Sequence, residues 1–203
     1  MNFAALYGTT YRSLPYNVYE SNIYAVKEFF PITFYFGVFS GDHATRLCSL
    51  LDVCEPVANI PNKNLLNARH KMSRLFQLLQ YEINENSKIL LMRVDAHIHD
   101  MKLPLGNAMY FARNAALPYF SMWDGILWGS YNSLVKLKIH FTPTQEPEQL
   151  IRHACLRFSC KEFEHYNVSL IKPNASCNCD ARSRNIRQFV NSKHIRFELT
   201  TSF

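Results

Sequence analysis

Lys88-Ile-Leu-Leu-Met-Arg-Val-Asp-Ala-His-Ile-His-Asp100 decides how the rest of the chain is read. The apolar run predicts one long strand ending in a His-hydrophobic-His pair. Side chains two apart on a strand share a face. Arg93, Asp95, His97 and His99 therefore line one face, while Leu90, Met92, Val94, Ala96 and Ile98 line the other, which reads as core. Two imidazoles and a carboxylate on one rigid face can hold a divalent cation. Asp95, His97 and His99 are thus the candidate metal ligands, with Mg²⁺ or Mn²⁺ expected. The competing structural reading is a pair of ordinary, partly exposed strand histidines.

Working outward, Asn64–Glu85 carries Leu65, Leu66, Met72, Leu75, Phe76, Leu78 and Leu79 at three- and four-residue spacing, which predicts an amphipathic helix. Pro31–Ser40 is aromatic and β-branched and predicts a buried strand. Asp42 is placed to cap a short helix through Leu51. Pro104 can open a helix that runs to Pro118. Trp123–Trp128 predicts a turn into a short strand. Leu134–Phe141 alternates, with Lys136, Lys138 and His140 on its polar side. A helix is expected over Pro147–Phe163, a strand over Tyr166–Ile171, and a loop over Pro173–Asp180. Ala181–Asn191 reads as a short basic helix with Arg182, Arg184 and Arg187. His194–Thr201 alternates again, with Arg196 on the polar side.

Three of these strands have one polar face, which favours an antiparallel or mixed sheet. The expected fold is α+β: about five strands, mainly antiparallel, with helices on one face and a basic, His-bearing face open. Residues 1–25 are rich in Tyr and Asn with weak periodicity and read as an irregular N-terminal arm. Residues 26–203 read as a single domain, the size at which one core suffices.

Hydrophobic content of 48% and charged content of 19% are ordinary for a globular chain. No stretch approaches the ~20 apolar residues of a spanning helix. The N-terminus lacks the charged and apolar regions of a signal peptide. A cytoplasmic protein with no membrane partner is expected. Its six cysteines are then mostly reduced thiols, with Cys177-Asn-Cys179 the one tight pair.

The net charge of +6 is uneven. Residues 1–130 carry 11 Lys/Arg against 10 Asp/Glu, or +1; residues 131–203 carry 11 against 6, or +5. A basic C-terminal third points to a polyanion, with DNA first. Lys136, Lys138, Arg182, Arg184, Arg187 and Arg196 are the candidate phosphate contacts.

A His-hydrophobic-His strand with a nearby helical tyrosine resembles the HUH endonucleases, which nick single strands in rolling-circle replication and plasmid transfer. That resemblance implies a tyrosine nucleophile. Tyr110 is preferred because its element follows the metal strand in sequence, with Tyr119 and Tyr166 as further choices. Over residues 64–120 the chain also resembles the inovirus-type replication proteins (the YagK/YfjJ C-terminal type). The match rests on the Asn/Leu-rich helix, Ser87–His99 and Gly125-Ile-Leu-Trp128, and covers a quarter to a third of the chain. It implies a replication or mobilisation protein of a phage, plasmid or mobile element. That group carries its His-x-His in a later strand, where this chain has Lys136-Leu-Lys138. The resemblance therefore leaves two outcomes open: a metal-dependent nickase using His97 and His99, or a DNA-binding regulator that does not cut. Val-Asp-Ala-His-Ile-His also resembles the first-strand motif of amidohydrolases, which would imply a small metal hydrolase. Such barrels run to ~250 residues, longer than this chain.

Overall fold

Asn2–Thr10 forms β1, a nine-residue strand, and it is the strand around which the molecule is organised. The computed structural model describes residues 1–12, 14–59, 64–80, 83–113, 122–134, 160–173, 186–192 and 197–201. β1 pairs in parallel with β2 (Phe34–Gly41) on one side and with β4 (Lys88–Arg93) on the other. β2 in turn pairs in parallel with β3 (Val53–Pro56). Beyond β4 come β7 (Met122–Ser130) and β6 (Tyr110–Arg113), both in antiparallel pairings, then the short β8 (Lys161–Glu162), parallel to β6. The order is β3-β2-β1-β4-β7-β6-β8. A second, antiparallel sheet runs β11-β10-β9-β5, from Phe197–Thr201, Ile186–Ser192, Tyr166–Pro173 and Ala96–Met101.

Parallel neighbours need crossovers, and the helices supply them. α1 (Tyr16–Phe29) links β1 to β2, and α2 (Ala44–Cys48) links β2 to β3. α1 buries Tyr19, Ile23 and Val26, one stripe at helical spacing. It stops at Phe30, whose extended backbone is what a following proline favours. α3 (Asn64–Leu79) carries the chain from β3 to β4 and is tied to β3 by the bidentate Arg74–Glu55 pair. Two cores result. Ala4, Leu6, Leu90, Met92 and Val94 pack on the side of α1, α2 and the second sheet. Phe3, Ala5, Tyr7, Ile89 and Leu91 pack against Met72, Leu75, Phe76 and Leu79 of α3. The sheet is therefore covered on both faces, the arrangement of a doubly wound α/β fold.

This overturns the expected five-stranded, mainly antiparallel α+β sheet with an open basic face. The central strands are parallel and have no solvent face. The supposed N-terminal arm is instead β1 and most of α1. A strand buried on both faces shows no polar alternation, and Phe3-Ala-Ala-Leu-Tyr7 has none. Three other expectations also change. The stretch after Pro104 gives strand β6 where a helix was expected. Ile186–Ser192 is β10, overlapping the basic helix expected over 181–191. Cys48 and Cys54 are joined as a disulfide, Cα atoms 5.1 Å apart, and Cys160 is disulfide-bonded too, against the expectation of reduced thiols. β2, α3, β9 and β11 fall where the pattern put them. The predicted strand through 135–141 and helix over 147–159 lie outside the described residues. Among the described residues no helix is long and apolar enough to cross a membrane.

Candidate functional site at the carboxyl ends of the parallel strands

The long strand read over 88–100 is two strands in two sheets. Val94 donates the last hydrogen bond along β1, to the Tyr7 carbonyl at 2.8 Å. The chain then turns at Val94–Asp95 and enters β5. β1 runs on beside β2 to the Thr10–Gly41 pair. The two strands part at Gly8, where a Cβ would stand 2.8 Å from Val94 Cγ1 and φ is +150°. Gly41 sits at the matching end of β2 with φ +92°, and a Cβ there would fall 2.0 Å from the Thr10 carbonyl oxygen. Both glycines are required by close approach at this edge.

β1 sends its crossover along one face to β2, while β4 arrives by α3 on the other face. The gap between β1 and β4 is thus the topological switch point, where open α/β sheets take their ligands, outside the carboxyl ends of the strands. Polar side chains gather at the carboxyl ends of β1 and its neighbours. On the α3 side, Lys71 Nζ donates to Thr9 Oγ1 at 2.9 Å and reaches the Asn67 carbonyl at 3.4 Å. Ser40 Oγ lies 2.6 Å from Asn59 Oδ1 and 3.3 Å from Thr9 Oγ1. Lys71 is 2% exposed, and burial lowers its pKa to about 8. On the α1 and α2 side, Thr10 Oγ1 donates to the Ser40 carbonyl and accepts from the His43 amide.

Past β4, Arg93 grips Asp95 with two hydrogen bonds of 2.9 and 2.7 Å. Asp95 is 5% exposed. The same carboxylate helps to raise the pKa of Tyr11, after burial. Tyr19 is raised by burial first as well, and its hydroxyl accepts from the Tyr11 amide.

His97 and His99 do share a face of β5, with ring centroids 4.6 Å apart and planes at 71°. The register shifts between Ile98 and Asp100, so that His99 and Asp100 are both exposed while Ile98 and Met101 stay buried. Burial and then His99 lower the pKa of His97; burial lowers that of His99. Both shifts favour the neutral ring. The Asn22 amide donates to the Val94 carbonyl at 2.8 Å, which turns its oxygen toward His97 Nδ1, 2.6 Å away. Since a carbonyl oxygen only accepts, Nδ1 carries the proton and the lone pair lies on Nε2.

Of the predicted site residues, the structure brings His97 and His99 together. Asp95 belongs to the turn before β5 and is held by Arg93, so it does not complete a triad with them. Among the described residues no group of three His, Cys, Asp or Glu gathers to hold a metal. Tyr110 lies in β6, is 8% exposed and stacks on Phe163 in the core, ring centroids 6.0 Å apart. Lys136, Lys138, Arg182, Arg184 and Arg196 lie outside the described residues. Arg187 falls in β10, where only the backbone is described. Sequence reasoning missed Thr9, Ser40, Asn22 and Lys71. The one signal was Lys71, a cation four and eight residues before Leu75 and Leu79 on the buried stripe.

No family model and no curated protein matches the chain. Among solved structures it is similar to a 4-diphosphocytidyl-2C-methyl-D-erythritol synthase, at 10% identity and a TM-score of 0.46, over 80% of this chain and 87% of that one.

Proposed function

We propose that the chain binds a nucleotide-type phosphorylated ligand at the carboxyl ends of β1 and β4, with a divalent cation on His97 and His99. The observation that carries this reading is that the Lys71–Thr9 and Arg93–Asp95 pairs both stand at the carboxyl ends of β1 and β4, where the two strands part. Two neutral imidazoles do not make a closed metal site. They suit an ion that arrives with its ligand, whose phosphate oxygens and water fill the other positions. Nitrogen donors favour Mn²⁺ or Zn²⁺ over Mg²⁺. The cation would neutralise phosphate charge, the main requirement for phosphoryl-group chemistry.

The test is thermal unfolding and calorimetry with the four ribonucleoside triphosphates, with and without Mn²⁺, using nucleosides as controls. A rise in Tm that needs Mn²⁺ and disappears in the His97→Ala/His99→Ala variant supports the proposal. No response to any nucleotide beyond that to matched salt sinks it.

A second reading keeps DNA as the ligand, as in a replication or mobilisation protein, and rests on the +5 balance of residues 131–203. Its separate signature is binding to single-stranded DNA that weakens steeply with salt. As a nickase it would also leave a metal-dependent covalent adduct that Tyr110→Phe removes. Both readings place the protein in the cytoplasm, whose thiol pool works against the Cys48–Cys54 disulfide that the structure shows. Mass spectrometry after rapid alkylation of cells checks that placement.

A further inference from the structure

We infer that Lys71 and Thr9 form the anchor for a phosphoryl oxyanion of the ligand, an assignment that rests on the nucleotide reading above. Lys71 is on the apolar stripe of α3, yet among the described residues its ammonium is held by neutral oxygens alone, the Thr9 hydroxyl and the Asn67 carbonyl. A buried charge is ordinarily paired, because desolvation without a counter-charge is costly. The described residues bring no carboxylate to this one. An ammonium has three donors, and these two contacts, one of them long, leave a third.

The neighbouring hydroxyls determine the remaining polarity. Ser40 has one proton, and Asn59 Oδ1 takes it at 2.6 Å. Thr9 Oγ1 accepts from Lys71, and its own proton, whose present acceptor is Ser40 Oγ at a long 3.3 Å, can turn to a ligand oxygen. Thr9 is half-buried, at the end of β1 where the gap opens. Lys71 and Thr9 therefore present a cation and a hydroxyl donor, a set that suits a phosphate oxygen. A free carboxylate ligand would meet the same two donors, and the choice of probes separates the two chemistries.

The experiment titrates the full chain with inorganic pyrophosphate, ATP, adenosine and citrate by calorimetry, in Mn²⁺ and a non-phosphate buffer. Wild type is expected to bind pyrophosphate and ATP in preference to citrate and adenosine. Lys71→Met should weaken pyrophosphate and ATP roughly 30-fold or more, the scale of a lost charge-assisted contact. Thr9→Val, at a half-buried position that need not disturb folding, should weaken them about fivefold, the scale of one neutral hydrogen bond. Far-UV circular dichroism confirms that each variant is folded. If both variants bind pyrophosphate and ATP within twofold of wild type, the anchor is wrong and the nucleotide reading stands. If wild type binds neither, the nucleotide reading fails and takes the anchor with it. If citrate binds as tightly as pyrophosphate, the assignment to phosphate is overturned.

Discussion

Lys71→Met separates the cost of this lysine to the fold from its use. Burial moves its pKa from 10.5 to about 8. Each unit is worth about 1.4 kcal/mol, so keeping the ammonium charged inside the protein costs on the order of 3 kcal/mol. The folded pKa lies below the unfolded one. Below pH 8 both states are protonated and the full cost is felt. Between pH 8 and 10.5 the unfolded chain binds more protons than the folded one, so stability rises with pH through that window. Methionine keeps much of the length and has no charge to bury. Against its gain stands the lost hydrogen bond to Thr9, about 1 kcal/mol, softened because the half-buried hydroxyl can turn to water. Lys71→Met should therefore be more stable than wild type by roughly 1–3 kcal/mol at pH 7, and the advantage should shrink by pH 10. Urea unfolding followed by circular dichroism at pH 7, 8.5 and 10, without phosphate, measures this. Other groups titrate in both proteins, so the difference between them isolates Lys71. Parallel pH curves, or a less stable variant at pH 7, would refute the argument that this charge is buried and uncompensated.

Arg93→Met leaves the nearly buried Asp95 carboxylate without its bidentate partner and should cost about 3 kcal/mol in urea unfolding. A loss below about 0.5 kcal/mol would mean that water already serves that carboxylate. Asn22→Ala removes both the donor to Val94 and the acceptor for His97, and should cost about 2–3 kcal/mol. In the same variant, ¹⁵N shifts of the His97 ring should move from the Nδ1–H form toward a mixture of tautomers; an unchanged ring rules out the assigned network. Gly41→Ala should destabilise by about 3 kcal/mol or more, and by more than Gly8→Ala, because its Cβ meets backbone rather than a side-chain methyl. Equal melting temperatures for the two variants would contradict that order.

Periodicity exposed the elements that have one wet face. α3 shows its stripe, and β9 and β11 carry strand patterns that survive in the structure. The strand most important to the topology was the hardest to see. Phe3-Ala-Ala-Leu-Tyr7 meets α1 on one side and α3 on the other, so neither alternation nor helical spacing marks it. Once β1 is placed, the parallel order follows from the crossovers. Without it, the polar faces of later strands argued for an antiparallel sheet. Likewise Pro104 is compatible with a helix start, but Tyr110 and Phe111 pair with Trp128 and Leu127, and tertiary pairing overrode the local signal.

The stretch Lys88–Asp100 misled in a more instructive way. Its alternation is real on both sides of Val94, which is why one face was legible and His97 and His99 do meet. Alternation carries no record of which sheet a strand joins. A turn of two residues, Val94 and Asp95, moves the chain from β1 to β9 as partner. That move takes Asp95 away from the histidines and gives it to Arg93. It also opens the gap beside Gly8 that a continuous strand would have closed. The break that dissolved the expected three-ligand centre is therefore the same event that parts β4 from β1. A site of this kind is built from strand ends far apart in sequence, Thr9, Ser40 and Arg93, with Lys71 brought over by the crossover helix. No spacing rule links those residues; only the parallel order of β2, β1 and β4 does.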